Sequence, residues 1–381
     1  MIPIRSKLPG TRTSIFSVMS KLAEDHNAIN LSQGFPDYDC DPKLINCVAD
    51  AMKGGYNQYA PMAGSFELRE LISEKVNALY NAKYDADKEI TITSGGTQAI
   101  FTALTTVINP GDEVIIFEPA YDCYAPTIKS LGGLVKTYEL TPPNYEIDWN
   151  IVKRLFSANT KMIIINSPQN PTGSILTVDD VNALIKLTHG TDILILSDEV
   201  YEHIIFDNQQ HQSIALYPEL KERSFIVASF GKLLHTTGWK MGYCLAPENL
   251  TKEFRKIHQF NVFSVNTPMQ IGVANYLRDS SVYMNLSGFF QQKRDLFRSL
   301  IGETKFKLLP CNGSYFQCVT YNSISDESDV DMATRLIKDY RVASVPVSAF
   351  YIKNTDHKVL RFCFAKRQET LEKAVERLTE L

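Results

Sequence analysis

Residues 193–201 read ILILSDEVY: four consecutive apolar side chains, then a serine, two carboxylates and a tyrosine. An unbroken apolar run that stops abruptly at polar groups is the pattern of a strand buried on both faces of a sheet. The same pattern recurs on either side. Upstream, KMIIIN (161–166) leads into SPQNPTG (167–173), EVIIF (113–117) into EPAY (118–121), and EITIT (89–93) into SGGTQ (94–98); downstream, SFIVAS (224–229) leads into FGK (230–232). Leu134–Tyr138 and Lys240–Ala246 supply two more strand-like runs. Between them lie helix-length amphipathic stretches, including Thr97–Ile108 and Val178–Thr188, the latter opened by the capping-box-like Thr177-x-x-Asp180. Strand–helix alternation of this kind predicts an open α/β sheet, mostly parallel, with right-handed crossovers.

Beyond about residue 280 the texture changes. Helices are expected at Phe289–Ile301, Val330–Tyr340 and Glu369–Leu381, and strands at Tyr315–Tyr321 and His357–Ala365, which suits a smaller α+β unit. At 381 residues the chain exceeds the roughly 250–300 residues at which one core usually stops growing. The expected division is a large domain over 45–280 and a small domain made of 1–44 with 281–381. A net charge of −4 gives no reason to look for nucleic acid or an anionic membrane as a partner. No apolar run approaches the ~18 residues of a membrane span, and the N-terminus, MIPIRSKLPGTRTSIF, places prolines and basic residues where a signal peptide would need apolar ones. The expected location is the cytoplasm. The seven cysteines are odd in number and never in C-x-x-C spacing, and the seven histidines are dispersed, which argues against a disulfide framework and against a metal site.

In open α/β sheets ligands gather outside the carboxyl ends of the strands. If the strands run in parallel, the five polar segments named above emerge along one edge. There Gly95 and Gly96, followed by Thr97, let backbone N–H groups approach an anion at a helix N-terminus; the plainer reading is a tight turn capped by Thr97. Lys232 directly follows a buried strand, where desolvation lowers an amine's pKa towards nucleophilic competence, although lysines on loops are ordinarily solvated. Ser229 and Lys240 flank it and suit a phosphate dianion. Asp198 ends an apolar strand, where a carboxylate is costly unless it meets a cation or caps a following helix. Asn170 sits in an NPTG turn, and Tyr121 after a strand reads as a ring-stacking residue or as core. Arg361 lies within VLRFCF (359–364), either binding a carboxylate through its fork or facing solvent on an alternating strand.

Together NPTG (170–173), SDEVY (197–201), SFGK (229–232) followed by GWKMG (238–242), and RFC (361–363) occur in an order and spacing that resemble the class I aminotransferases of PLP fold type I, from about Ser32 to the C-terminus. SQGFPD (32–37), NQYAP (57–61), YDCYAP (121–126) and FSVNTP (263–268) are similar to the kynurenine/glutamine aminotransferases and bacterial methionine aminotransferases. The resemblance implies a mostly parallel sheet flanked by helices with a smaller α+β domain, and pyridoxal 5′-phosphate (PLP) as cofactor. It implies that Lys232 forms a Schiff base with the cofactor and then shuttles the substrate proton. Asp198 would pair with the pyridine nitrogen, Tyr201 and Asn170 would bond the phenolic oxygen, and Tyr121 would stack on the ring. Gly95, Gly96, Thr97, Ser229 and Lys240 would hold the phosphate; many relatives carry arginine where Lys240 stands, so the fork is lost and the charge kept. Arg361 and Asn170, with the backbone near Gly34, would hold the substrate carboxylate. Tyr59 would reach the phosphate of a neighbouring subunit, making the active species a homodimer.

The implied reaction is ping-pong transfer of an amino group from an amino acid to a 2-oxo acid. Phe263–Pro268, with Phe16 and Tyr59, offers aromatic and small groups instead of a second cationic anchor, which favours neutral donors such as methionine, kynurenine, glutamine or aromatic amino acids. The alternatives are a PLP-dependent cysteine-S-conjugate β-lyase, which would share every motif, a dicarboxylate-specific aminotransferase, and a non-catalytic binding protein on the same fold. The last could have lost Lys232, Asp198 or Arg361, and this chain keeps all three.

Overall fold

The computed structural model describes residues 4–11 and 13–381; of the expected 1–44 segment, residues 1–3 and 12 lie outside the described residues. The first strand, β1 (Ile29–Asn30), precedes the seven that build the central sheet: β2 (Ile90–Thr93), β3 (Glu113–Glu118), β4 (Leu134–Glu139), β5 (Thr160–Asn166), β6 (Leu194–Asp198), β7 (Ser224–Ser229) and β8 (Gly242–Leu245). They lie in the order β2-β8-β7-β6-β5-β3-β4. The pairs β4/β3, β3/β5, β5/β6 and β6/β7 are parallel, whereas β8 is antiparallel to both of its neighbours, β7 and β2. Two reversals cancel, so β2 points the same way as β7. All five expected loops therefore leave the sheet at one edge, and β8 begins there.

Burial explains the sequence pattern. Every residue of β2, β3 and β8 is buried, so these strands show no polar alternation. The expected run Lys240–Ala246 is shorter in the structure because Lys240 adopts a left-handed backbone, φ +56°, which cannot continue a ladder. Gly242, the first residue of β8, is where the backbones crowd: a Cβ there would meet the Ala228 carbonyl at 2.7 Å and the Gly95 Cα at 3.1 Å. The Val178–Thr188 helix opens on a true capping box, with Asp180 N–H donating to Thr177 Oγ1 at 3.1 Å and Thr177 N–H to Asp180 Oδ2 at 2.8 Å. The helix expected at Thr97–Ile108 spans Gly95–Val107. Ser94 holds its capping position and Thr97 lies inside the first turn, which removes the plainer reading of Thr97.

The C-terminal part carries β9 (Lys307–Leu308), β10 (Phe316–Thr320), β11 (Val342–Ala343), β12 (Val345–Pro346) and β13 (Val359–Cys363). A four-stranded antiparallel sheet runs β12-β13-β10-β9, covered by helices Leu286–Ile301, Asp329–Tyr340 and Gln368–Leu378. The N-terminal segment joins it, since β1 pairs in parallel with β11 and Cys363 N–H donates to the Leu31 carbonyl at 2.8 Å. One continuous apolar cluster extends from Ile92 and Ile165 in the large sheet to Phe316 and Phe362 in the small one, each such side chain contributing roughly 1.5–3 kcal/mol on burial. The seam between the two sheets is thus packed, and the carboxyl edge of the large one opens onto it. No helix among the described residues is long and apolar enough to cross a membrane.

Candidate active site

A cavity of about 210 Å³ lies at that edge. Lys232 enters it from the short helix Phe230–Leu233 that follows β7, Asp198 from the end of β6, Tyr201 from the turn after it, and Asn170 from the loop after β5. The Lys232 amine donates to the Tyr315 hydroxyl at 2.7 Å and to the Gly34 carbonyl at 3.1 Å. Burial lowers its pKa to about 8, helped by the Arg361 and Lys240 charges and opposed by Cys363 and Asp198. At pH 7 about a tenth of this amine is then uncharged, the form a nucleophile requires.

Asp198 is 3% exposed. Its carboxylate accepts from two neutral donors, the Tyr124 hydroxyl at 2.5 Å and the Val200 N–H at 3.3 Å. Burial pushes its pKa up to about 6, and those hydrogen bonds restrain the rise. No helix follows it, so the reading of Asp198 as a helix cap falls away; the Val200 contact is a local turn. Tyr201 is buried too, its phenol pushed well above the ordinary range by desolvation, and its ring meets Tyr315 edge-on at 5.1 Å.

Arg361 is wholly buried in β13, between Val345 of β12 and Cys318 of β10, which rules out the solvent-facing alternative. Nη1 donates to Asn170 Oδ1 at 2.6 Å and Nη2 to the Ser32 carbonyl at 2.8 Å, while Nε has no protein partner. Phe316 lies under the guanidinium with its ring centre 3.8 Å away, and Phe16 sits at 5.2 Å. Burial depresses the pKa of this cation. A buried guanidinium whose protein partners are an amide and a carbonyl leaves its charge uncompensated, which suits an incoming carboxylate.

The other expected residues fall around the same space. Gly95, Gly96, Thr97, Ser229 and Lys240 line one end of the cavity, at the start of the Gly95–Val107 helix. Tyr121 also lines it, sharing a 3.1 Å hydrogen bond with Thr97, as do Gly34 and Phe16. Gly34 is tightly placed, since a Cβ there would stand 2.8 Å from Phe316 Cζ. Tyr59 is not brought in by its own chain. It is 81% exposed and meets Phe263 edge-on at 5.3 Å, away from the cavity. Sequence reasoning passed over Tyr124, Tyr315 and the Ser32 carbonyl. Tyr124 lies in the quoted YDCYAP stretch, but nothing in its spacing announces a donor to Asp198, and Tyr315 reads as the first core residue of a strand.

The arrangement fits a cofactor with an aldehyde, a cationic ring nitrogen and a phosphate. The buried, cation-free carboxylate of Asp198 matches the nitrogen, the depressed amine of Lys232 the aldehyde, and the glycine-rich helix start with Ser229 and Lys240 the phosphate. The comparisons agree. Residues 26–378 match the family model for aminotransferase class I and II. Methionine aminotransferase of Escherichia coli is 45% identical across 100% of this chain and 99% of its own length. Human kynurenine–oxoglutarate transaminase 1 is 31% identical across 94% of this chain and 93% of its own. A crystal structure of an Escherichia coli protein with methionine aminotransferase function superposes with a TM-score of 0.98, at 45% identity and full coverage of both chains. The chain belongs to the class I and II aminotransferases. It is an amino-acid aminotransferase, and its cofactor is PLP.

Proposed function

We propose that this enzyme moves the amino group of a neutral amino acid, methionine foremost, to a 2-oxo acid by a ping-pong course. When bound, PLP supplies an aldehyde that accepts the amino group and a cationic ring that draws electrons from the substrate Cα–H bond. Lys232 anchors the cofactor covalently, and its amine moves the proton at Cα, a task matched to a pKa near the working pH. Asp198 would pair with the ring nitrogen and favour its protonated form. Tyr201 and Asn170 would bond the phenolic oxygen, Tyr121 would stack on the ring, and Gly95, Gly96, Thr97, Ser229 and Lys240 would hold the phosphate. Arg361 binds the substrate carboxylate, with Asn170 and the Gly34 backbone beside it, and Phe16 bounds the apolar side.

The observation that carries this reading is Arg361: a wholly buried guanidinium in the same cavity as Lys232 and Asp198. With Lys232 and Lys240 assigned to the cofactor, it supplies one carboxylate anchor on this chain, which supports a donor with a single carboxylate. The relatives named for methionine and kynurenine point the same way. We further assign residues 45–280 to the cofactor-binding domain, and 1–44 with 281–381 to the smaller one, a division supported by the pairing of β1 with β11. The working unit is a homodimer in which Tyr59 reaches the partner's phosphate site. The exposure of Tyr59 beside the exposed Phe263 supports it, as such apolar patches mark association surfaces. Seven free thiols support a cytoplasmic location. The test is a panel of methionine, kynurenine, glutamine, phenylalanine and aspartate against 2-oxoglutarate, pyruvate and 4-methylthio-2-oxobutyrate. Methionine should exceed aspartate in kcat/KM by on the order of 10² or more; aspartate as the fastest donor would overturn the assignment.

A further inference from the structure

The turn that presents Asp198 and Tyr201 to the cavity alternates with two further carboxylates, Glu199 and Glu202, which point away from it into the protein. Both are held. Glu202 Oε1 accepts from the Lys75 ammonium at 2.5 Å and the Tyr243 hydroxyl at 3.1 Å, and Oε2 from the Tyr80 hydroxyl at 2.6 Å. Lys75 also donates to the Tyr243 hydroxyl at 2.9 Å. Its side chain is 3% exposed, and its ammonium lies 5.9 Å from the ring centre of Tyr283. Glu199 Oε1 accepts from the Ser197 hydroxyl at 2.7 Å and the Ile214 N–H at 3.0 Å, and Oε2 faces His211 Nε2 at 2.8 Å. The Tyr80 ring stands edge-on to His211 at 6.0 Å, which joins the two clamps. The remaining titratable neighbours are His203, whose Nε2 is 3.6 Å from Glu202 and which burial keeps neutral, and Tyr84, whose phenol feels Glu199.

Burying an ion pair is seldom a gain in stability over apolar packing of the same volume. A lysine sealed inside the helix Phe66–Tyr80, and paired with the residue after Tyr201, therefore calls for another reason. Chain connectivity supplies one. Glu199 follows Asp198 directly and Glu202 follows Tyr201 directly, so fixing the two glutamates fixes the two cofactor-facing side chains from behind. We propose that Lys75, with Tyr80 and His211, is a positioning residue that sets the attitude of Asp198 and Tyr201 towards the cofactor by clamping Glu202 and Glu199. The inference rests on the site roles proposed above. Removing Lys75 leaves Glu202 without a counter-charge and held only by the Tyr80 and Tyr243 hydroxyls, which loosens the hold on Tyr201 beside it. A lost hydrogen bond to the cofactor's phenolic oxygen and an unneutralised carboxylate behind it both favour the protonated form of the bound chromophore.

The test uses the holoenzyme and reads the pH midpoint of its visible absorbance, the dissociation constant for PLP, and the thermal midpoint. In metal sites, partners one layer behind the bound group tune affinity by roughly 10–100-fold. Lys75→Met should weaken PLP binding about tenfold and raise the absorbance midpoint by roughly half a unit or more. Lys75→Arg should return both towards wild type, and Tyr80→Phe should give a smaller shift in the same direction. A lowered thermal midpoint with absorbance midpoint and PLP affinity as in wild type would mean that Lys75 is plain scaffold, and the proposal would fall. Should Lys75→Met not fold, Tyr80→Phe decides the matter alone, and an unmoved midpoint there refutes it. Loss of the visible band in Lys232→Ala is the control: a band that survives in that variant would bring down the site assignment itself, whatever Lys75 does.

Discussion

Replacing Arg361 with methionine tests the substrate site directly. The guanidinium is wholly buried, two of its nitrogens are committed to Asn170 Oδ1 and the Ser32 carbonyl, and aromatic rings pack against it. Methionine keeps most of the volume, so the packing against Phe316 and Phe16 survives. What is lost to the fold is a partner for the Ser32 carbonyl and the Asn170 amide, about 1–3 kcal/mol for each group left unsatisfied. What is lost to the substrate is larger, because truncating one side of a buried, hydrogen-bonded charge pair costs about 2–5 kcal/mol. That converts to a fall in kcat/KM for methionine of roughly 30-fold to 5,000-fold. Steady-state rates with methionine and with 3-(methylthio)propylamine, which has the same side chain and no carboxylate, separate the two losses. Wild type should prefer methionine strongly and the variant should not. A variant that loses both donors alike, or keeps methionine within about tenfold of wild type, would show that Arg361 does not read the carboxylate.

Asp198→Asn should split stability from cofactor binding. The folded-state pKa of Asp198 is raised from 3.8 to about 6, so its ionised form weakens the fold above pH 6, and the penalty fades as pH falls through 6 towards 4. Stripped of cofactor, the variant should be more stable than wild type at pH 7.5 by up to roughly 3 kcal/mol, with the gap closing near pH 4, while its affinity for PLP falls; scanning fluorimetry across pH tests this, and a less stable variant at pH 7.5 contradicts it. For Lys232, whose pKa is lowered to about 8, the neutral fraction grows as pH rises through that value. The rate at which the stripped protein regains its visible band on adding PLP should climb with a midpoint near 8, and a midpoint near 10.5 would mean the amine is not desolvated.

The large sheet was legible because its strands are buried on both faces, so that β3 and β6 stand out as unbroken apolar runs ending in polar loops. Asp198, Tyr201, Asn170 and Lys232 were legible for the same reason: each follows such a run at once. Arg361 needed the whole constellation, since a lone arginine in a strand of VLRFCF type is ambiguous until the strand is known to lie between two others. The direction of β8 was not legible, because a short strand buried on every side carries no mark of which way it runs. Nor was the pairing of Ile29–Asn30 with Val342–Ala343, a contact between two-residue strands far apart in sequence. The Lys75–Glu202 clamp escaped notice because charged residues on a helix are ordinarily its solvated face, and only tertiary packing turns this one inward. Tyr124 and Tyr315 look like core aromatics, and their hydroxyls acquire meaning only from what lies opposite.

The reversed strand β8 has a consequence for how the site is tethered. Because β7 and β8 are hydrogen-bonded antiparallel, with Ser229 opposite Gly242, the chain leaves the sheet, drops Lys232 into the cavity, crosses above it and returns with Lys240. Both amines therefore lie on the one connection between two paired strands, which β6 and β2 hold from either side. Residues 224–245 thus carry the proposed covalent anchor and the proposed phosphate cation on one continuous stretch of chain. The tightest point of that stretch is Gly242, where any side chain would collide with the Ala228 carbonyl and with the start of the Gly95–Val107 helix.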